Sequence, residues 1–253
     1  MIFASQNLYG ILCCDGSRFT DFWKLDALSN GIAFDGSGEL WLGDWQDILH
    51  IDRRSGEVIE KRHVDGWDNI HTLNFFHGEP LVASTGNDSV FLGNECIFKP
   101  KDMNIRDHAY VNAAIPYKDD TIVISLRRKK LAVLFDTANR KVEKVITMPF
   151  LHNQHHPTPF MDGLFLVSDG DGIVMFNEEG KPVQKSPRMD WPRGIKVVSR
   201  TKVWAVDRHG IVQYNPVLNT FTKKIDSPLP KPIEMKQGED NIQASALFDL
   251  VIS

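Results

Sequence analysis

Asn30-Gly31-Ile32-Ala33-Phe34, a turn through Asp35-Gly36-Ser37-Gly38, and Leu40-Trp41-Leu42-Gly43-Asp44 together set the unit that the rest of the chain repeats. A polar residue opens a short apolar segment, a cluster of turn formers reverses the chain, and a second apolar segment runs back, which is the signature of an antiparallel hairpin. The unit recurs as His71-Thr72-Leu73-Asn74-Phe75 with Leu81-Val82-Ala83-Ser84, and as Asn112-Ala113-Ala114-Ile115 with Ile122-Val123-Ile124-Ser125. It recurs again as His156-Pro157-Thr158-Pro159-Phe160 with Leu164-Phe165-Leu166-Val167-Ser168-Asp169, and as Arg193-Gly194-Ile195-Lys196-Val197 with Val203-Trp204-Ala205-Val206-Asp207. Third strands such as Leu131-Ala132-Val133-Leu134-Phe135 and Ile211-Val212-Gln213-Tyr214 follow each hairpin. Several short strands per unit, at a period of about forty residues, predict the blades of a β-propeller.

Five units are complete or nearly so. The remaining pieces, Ile2 to Ser5, Tyr9 to Asp15, Arg18 to Leu25 and Asn241 to Ile252, combine into a sixth. The expected fold is therefore all-β, a six-bladed propeller forming one domain over residues 1–253, its ring closed by strands from both termini so that no sheet edge is left bare. An α/β reading fails for want of apolar residues sustained at i, i+3, i+4 and i+7 between the strands. The stretch 226–240, with Pro228, Pro230 and Pro232, reads as an extended connector.

With 253 residues, 42% of them hydrophobic, a net charge of -4 and a pI near 6.1, the chain has enough apolar surface for a core and lacks the basic balance of a nucleic-acid binder. Met1-Ile2-Phe3-Ala4-Ser5-Gln6 has neither the basic nor the apolar part of a signal peptide, and no apolar run is long enough to span a bilayer. A cytoplasmic protein without a membrane partner is expected. Cys13 and Cys14 are adjacent and Cys96 is remote, a spacing that suits neither a disulfide framework nor a zinc site.

The segment from Ser29 through Asp44, and the segment from Trp191-Pro192-Arg193-Gly194-Ile195 through Val203-Trp204-Ala205-Val206-Asp207, resemble blade signatures of NHL and gluconolactonase-type (senescence marker protein-like) propellers. The resemblance implies six blades. In the gluconolactonase group, the slot that opens an inner strand often carries an acidic or Asn ligand for a divalent cation. Arg193 stands where that group has the Asp of a Pro-Asp-Gly motif, so the resemblance brings no cation to this chain.

Asn30, His71, Asn112 and Arg193 each lie ten residues before the first apolar residue of a second strand, and His156 takes the same slot with a shorter turn. Innermost strands line the channel of a propeller, so these five side chains are expected to converge on its axis, with Asn241 or Gln243 as the sixth. Amide, imidazole and guanidinium groups without a carboxylate suit an anion or a polarised carbonyl better than a hard cation. Arg127-Arg128-Lys129-Lys130 and Arg208-His209 follow second strands and belong to the same face, adding positive charge that Asp44, Asp88, Asp169 and Asp171 offset. Trp67 and Trp191 lie just before inner strands and could wall a sugar or planar ligand.

The expected function is an enzyme, a transferase, hydrolase or lyase, acting on a small anionic molecule or glycan. His71 and His156 would serve as general acid/base or nucleophile, and Arg193, Asn30 and Asn112 would hold the developing oxyanion. In these residue types the channel resembles that of arylsulfate sulfotransferases, which implies sulfuryl transfer as one form of the chemistry. No cofactor is expected; were a transition metal bound, His71 and His156 would be its ligands. The alternative is a non-catalytic propeller that offers its rim, the loop from Arg127 to Lys130 above all, to a protein or glycan.

Overall fold

A computed structural model of the chain describes residues 1–6, 10–25, 29–161, 163–227 and 247–252. Its strands come from the hairpin units. Second strands such as Thr121–Leu126 and Leu164–Asp169 are buried almost along their whole length, because both faces of each sheet press on a neighbour. Outer strands such as Lys141–Thr147 and Thr220–Asp226 alternate exposed with half-buried residues, as expected where one face meets water.

The described strands form six four-stranded antiparallel sheets. Five are each wound from one continuous stretch, residues 29–63, 70–98, 111–147, 155–185 and 195–226. The sixth sheet is composite: Leu247–Ile252 is its innermost strand and pairs with Ile2–Gln6, which is followed outward by Gly10–Cys14 and Phe19–Lys24.

Among the described residues the apolar core is divided into six clusters, each shared by two neighbouring sheets. Val123, Leu134 and Leu151 meet Phe165 and Phe176 in one gap. Leu12 and Cys14 of the composite sheet meet Trp204, Val206 and Ile211 of the last continuous sheet, while Ile11 and Trp23 meet Ile32, Leu40 and Leu42 of the first. The composite sheet is thus packed on both sides and the ring of sheets is closed, which makes the fold an all-β propeller. Gly31 shows how closely adjacent sheets approach near the axis, since a Cβ there would lie 2.5 Å from the Leu73 backbone nitrogen.

Residues 228–246, with the three prolines, Asn241 and Gln243, lie outside the described residues. The innermost strand expected to begin at Asn241 is described from Leu247. The only helical segments among the described residues are short 3-10 turns at Pro100–Met103 and Arg127–Lys129, and none of the described helices is long and apolar enough to cross a membrane.

Candidate ligand site on the channel axis

Each continuous inner strand from the first to the fourth sheet opens with a break in its ladder, at Ser29/Ile32, Ile70/Thr72, Val111/Ala113 and His155/Thr158. Asn30, His71 and Asn112 sit in these breaks, and a bulge of this kind re-aims its side chain. Asn69, Tyr110 and Trp191, two residues before His71, Asn112 and Arg193, adopt left-handed backbone with φ of 50°, 62° and 56°. For Tyr and Trp this costs about 1–2 kcal/mol. Backbone bonds hold the turns in place: Arg127 donates to the Tyr110 carbonyl at 3.1 Å, Thr85 to Asn69 at 3.1 Å, and Arg193 to Val206 at 2.9 Å. These bonds also fix the loops after the second strands beside the starts of the innermost strands.

The side chains meet in one network. Asn112 Nδ2 lies 3.1 Å from His71 Nδ1, and Asn112 Oδ1 lies 3.0 Å from His155 Nδ1. Arg193 Nη1 contacts the His155 ring in turn. With the amide in this orientation, Oδ1 only accepts, so His155 Nδ1 carries the proton and His155 Nε2 is left to accept from the guanidinium. His71 and His155 have nearly parallel rings with centres 6.2 Å apart. His71, Asn112, His155 and Arg193 are all buried.

The electrostatics favour neutral imidazoles beside a cation. Burial, and then the nearby Arg193 and Arg127, hold His155 well below 6.5; burial first, and then His156 and Arg193, does the same for His71. Burial and the charges of Arg127 and Arg208 push Arg193 down to about 9.

Above the network lies an aromatic and cationic layer. The guanidiniums of Arg193 and Arg208 both lie 4.1 Å from the Trp191 ring centre, and those of Arg127 and Arg128 lie 5.1 and 5.5 Å from that of Tyr110. Arg127 Nε donates to Asn153 Oδ1 at 2.6 Å, whereas Arg208 Nε is buried with no hydrogen-bond partner among the described residues. Neither Arg127 nor Arg208 pairs with a carboxylate among the described residues.

The loop aspartates are already engaged. Asp88 accepts from the backbone amides of Ala109 and Val111, Asp169 from those of His152 and Asn153, and Asp171 pairs with Lys185. Their negative charge therefore does not neutralise the arginine layer by direct pairing.

The structure brings together His71, Asn112 and Arg193, as the slot predicts, and adds His155, Tyr110, Trp191 and Arg127. His156 is not in the network. Before His71, Asn112 and Arg193 the left-handed residue precedes the slot by two, but in the fourth continuous sheet it is His156 itself, with φ of 47°, and that residue lines the channel cavity instead. The preceding His155 takes its place. A signal for this was present: His71 and Asn112 stand thirteen residues before Ser84 and Ser125, and it is His155 that stands thirteen before Ser168.

Asn30 is half-buried, and its Oδ1 finds no partner among the described residues. His209 is engaged elsewhere, its Nε2 2.8 Å from Asp190 Oδ2, and Arg208 alone of that pair reaches the layer. Lys129 pairs with Asp107 and Lys130 bonds the Pro149 carbonyl, so the basic run contributes mainly Arg127 and Arg128. Trp67 packs in the core. Among the described residues no group of three or more His, Cys, Asp or Glu side chains is disposed to hold a metal ion.

Neither the known protein-family models nor the curated proteins include a match to this chain. Solved structures do match in shape. A protein of unknown function from Bacteroides caccae has a TM-score of 0.70 at 12% identity, over 98% of this chain and 97% of that one. A nidogen/laminin complex matches with a TM-score of 0.70 at 8% identity, over 98% and 96% of the two chains. Virginiamycin B lyase from Staphylococcus aureus matches with a TM-score of 0.59 at 14% identity, over 81% and 72%. At such identities the likeness shows a shared propeller fold and no more.

Proposed function

We propose that the six sheets are six propeller blades and that the protein is an enzyme acting on a small, anionic, carbonyl-bearing molecule at the arginine face. The observation that carries this reading is the convergence of Arg127, Arg193 and Arg208 on a buried imidazole-amide network. A local concentration of positive charge in an otherwise acidic protein draws in an anion and holds it by charge-assisted hydrogen bonds. Trp191 and Tyr110 stack on these guanidiniums and hold them in place for the ligand. His155 is then the general base: when the anion draws Arg193 off His155 Nε2, that nitrogen of a neutral imidazole, whose Nδ1–H is held by Asn112, takes a proton from the carbon next to the ligand carbonyl, and Arg193 stabilises the oxyanion that forms. His71 orients Asn112. A lyase among the shape neighbours is in keeping with such chemistry, although fold alone does not assign it.

Thermal unfolding with sulfate, phosphate or pyruvate tests the binding step. A ligand present at about a hundred times its Kd stabilises by about 2.7 kcal/mol, and the stabilisation should vanish in Arg208→Ala and shrink with added salt. An equal shift in wild type and variant would refute the arginine site. Exchange of the pyruvate methyl protons in heavy water, followed by NMR, tests the catalytic step. It should be lost in His155→Gln while sulfate still stabilises the protein. Stabilisation without exchange in the wild type would favour a binding protein over an enzyme.

A further inference from the structure

On the far side of the network the channel widens into a cavity of about 420 Å³, lined by the later parts of the innermost strands through residues such as Phe34, Phe75, Pro116 and Ile252. The arginine layer does not line it. His156 does, and its Nε2 is buried without a hydrogen-bond partner among the described residues, on a side chain only 5% exposed. An unsatisfied buried nitrogen of this kind costs about 1–3 kcal/mol unless something bonds it, and it belongs to a residue of left-handed backbone, φ 47°, that lines the space.

The other polar groups of the wall are partly committed. Thr72 Oγ1 accepts from the Ala114 amide at 3.1 Å, Asn74 Nδ2 donates to the Ala114 carbonyl at 2.9 Å, and Thr158 Oγ1 donates to the His156 carbonyl at 3.0 Å. Among the described lining residues there is no carboxylate, and the single cation, Lys196, is exposed at the edge.

We infer that this cavity is a second ligand site, distinct from the arginine face, for a neutral and mainly apolar molecule that carries one hydroxyl or comparable hydrogen-bonding group directed at His156 Nε2. The walls fix the chemistry. Ile32, Phe34, Ile115, Pro159 and Val197 supply apolar surface, whereas an ionised ligand would lose its hydration without gaining a buried counter-charge. His156 is held neutral by burial and by Arg193, at about 4, so across the physiological range its Nε2 is either a lone-pair acceptor or an N–H donor, and a hydroxyl, which both donates and accepts, bonds it in either tautomer. Size follows as well: a dry cavity of about 150 Å³ accommodates benzene, so this one has room for a two-ring molecule.

The probe is 2-naphthol, titrated into the whole chain and followed by ligand-observed NMR and by the ring signals of labelled histidine. Saturable binding is expected, with the His156 signals moving. His156→Phe, which keeps the bulk and removes the nitrogen, should weaken it about tenfold; His156→Gln, which restores a bonding group, should recover most of the loss. Ile115→Trp should block the cavity in a protein whose circular dichroism is unchanged. Arg208→Ala should leave 2-naphthol binding intact, so that failure of the anion site and failure of this one are told apart. The inference is overturned if 2-naphthol does not saturate at millimolar concentration, if it binds His156→Phe as well as wild type, or if sulfate competes with it.

Discussion

Acidification should unfold this protein through its buried histidines, and His156 gives the most definite magnitude. Its folded value is about 4, set by burial and then by Arg193, against 6.5 in the unfolded chain. A basic group whose value is lowered on folding binds fewer protons in the native state. Stability is therefore whole above about pH 6.5 and falls as the pH drops toward about 4, where the folded form also protonates. The gap corresponds to about 3 kcal/mol from this residue, a large part of the 5–15 kcal/mol by which domains are typically stable. His71 and His155, lowered still more clearly by burial and the nearby arginines, act in the same direction and begin in the same window.

Urea unfolding at a series of pH values measures the effect directly. Each histidine that stays neutral in the folded state contributes about 1.4 kcal/mol per pH unit within the window, so the wild-type slope should approach about three times that figure, with little change in m. His156→Phe removes one titrating group and should lower the slope by about a third. Carboxylates such as Asp15, held down to about 2, lose their own contributions only at the acid end and cancel in the comparison. Parallel pH profiles for wild type and His156→Phe would show that His156 is not a buried neutral group, and the electrostatic account of the channel would fail with it.

Asn112→Leu should cost about 2–5 kcal/mol in the same assay, because it leaves nitrogens of both His71 and His155 buried and unpaired. Gly31→Ala should cost about 3 kcal/mol, since the new Cβ would meet the Leu73 and Thr72 backbones at 2.5 and 2.9 Å, where no side chain can move aside; a loss of under about 0.5 kcal/mol would mean that the inner strands are further apart. His209→Ala should leave sulfate stabilisation unchanged, because that imidazole is engaged by Asp190 rather than by the arginine layer; loss of the thermal shift would place it in the site.

The sheets were legible because second strands are buried on both faces. Leu81-Val82-Ala83-Ser84 and Ile122-Val123-Ile124-Ser125 therefore read as unbroken apolar runs, and their repetition outweighs any local ambiguity. His71, Asn112 and Arg193 were legible for a related reason: a fixed distance from those runs becomes a fixed height on the axis. The fourth strand broke the count. Leu164 begins its second strand one residue earlier than Leu81 or Ile122 does, as the pairing of Met161 with Leu164 shows, so alignment on the first apolar residue missed His155. Tyr110 was not legible, because its place over the network depends on a left-handed turn that a tyrosine does not announce. The positive face was only half legible, since which lysines and aspartates cancel is decided by contacts between loops, such as Lys129 with Asp107.

The two ends of the channel owe their different chemistry to one local choice of backbone. In the fourth continuous sheet His155 pairs opposite Ser168 and Thr158 opposite Leu166, so His156 and Pro157 stand against the single residue Val167. A bulge normally leaves an amide without a partner. Here one of the two bulged residues is proline, which has no N–H to lose, and the His156 carbonyl is taken up by the Thr158 hydroxyl. The bulge therefore leaves fewer unpaired backbone groups inside the protein than one without proline would, and φ 47° is confined to one of its residues. A regular strand would also send neighbouring side chains to opposite faces, but both faces of an innermost strand near its start would then meet adjacent sheets. The left-handed turn instead brings both imidazoles to the axis, His155 under the arginines and His156 in the apolar cavity, where the same ring type meets a guanidinium on one side and hydrocarbon on the other.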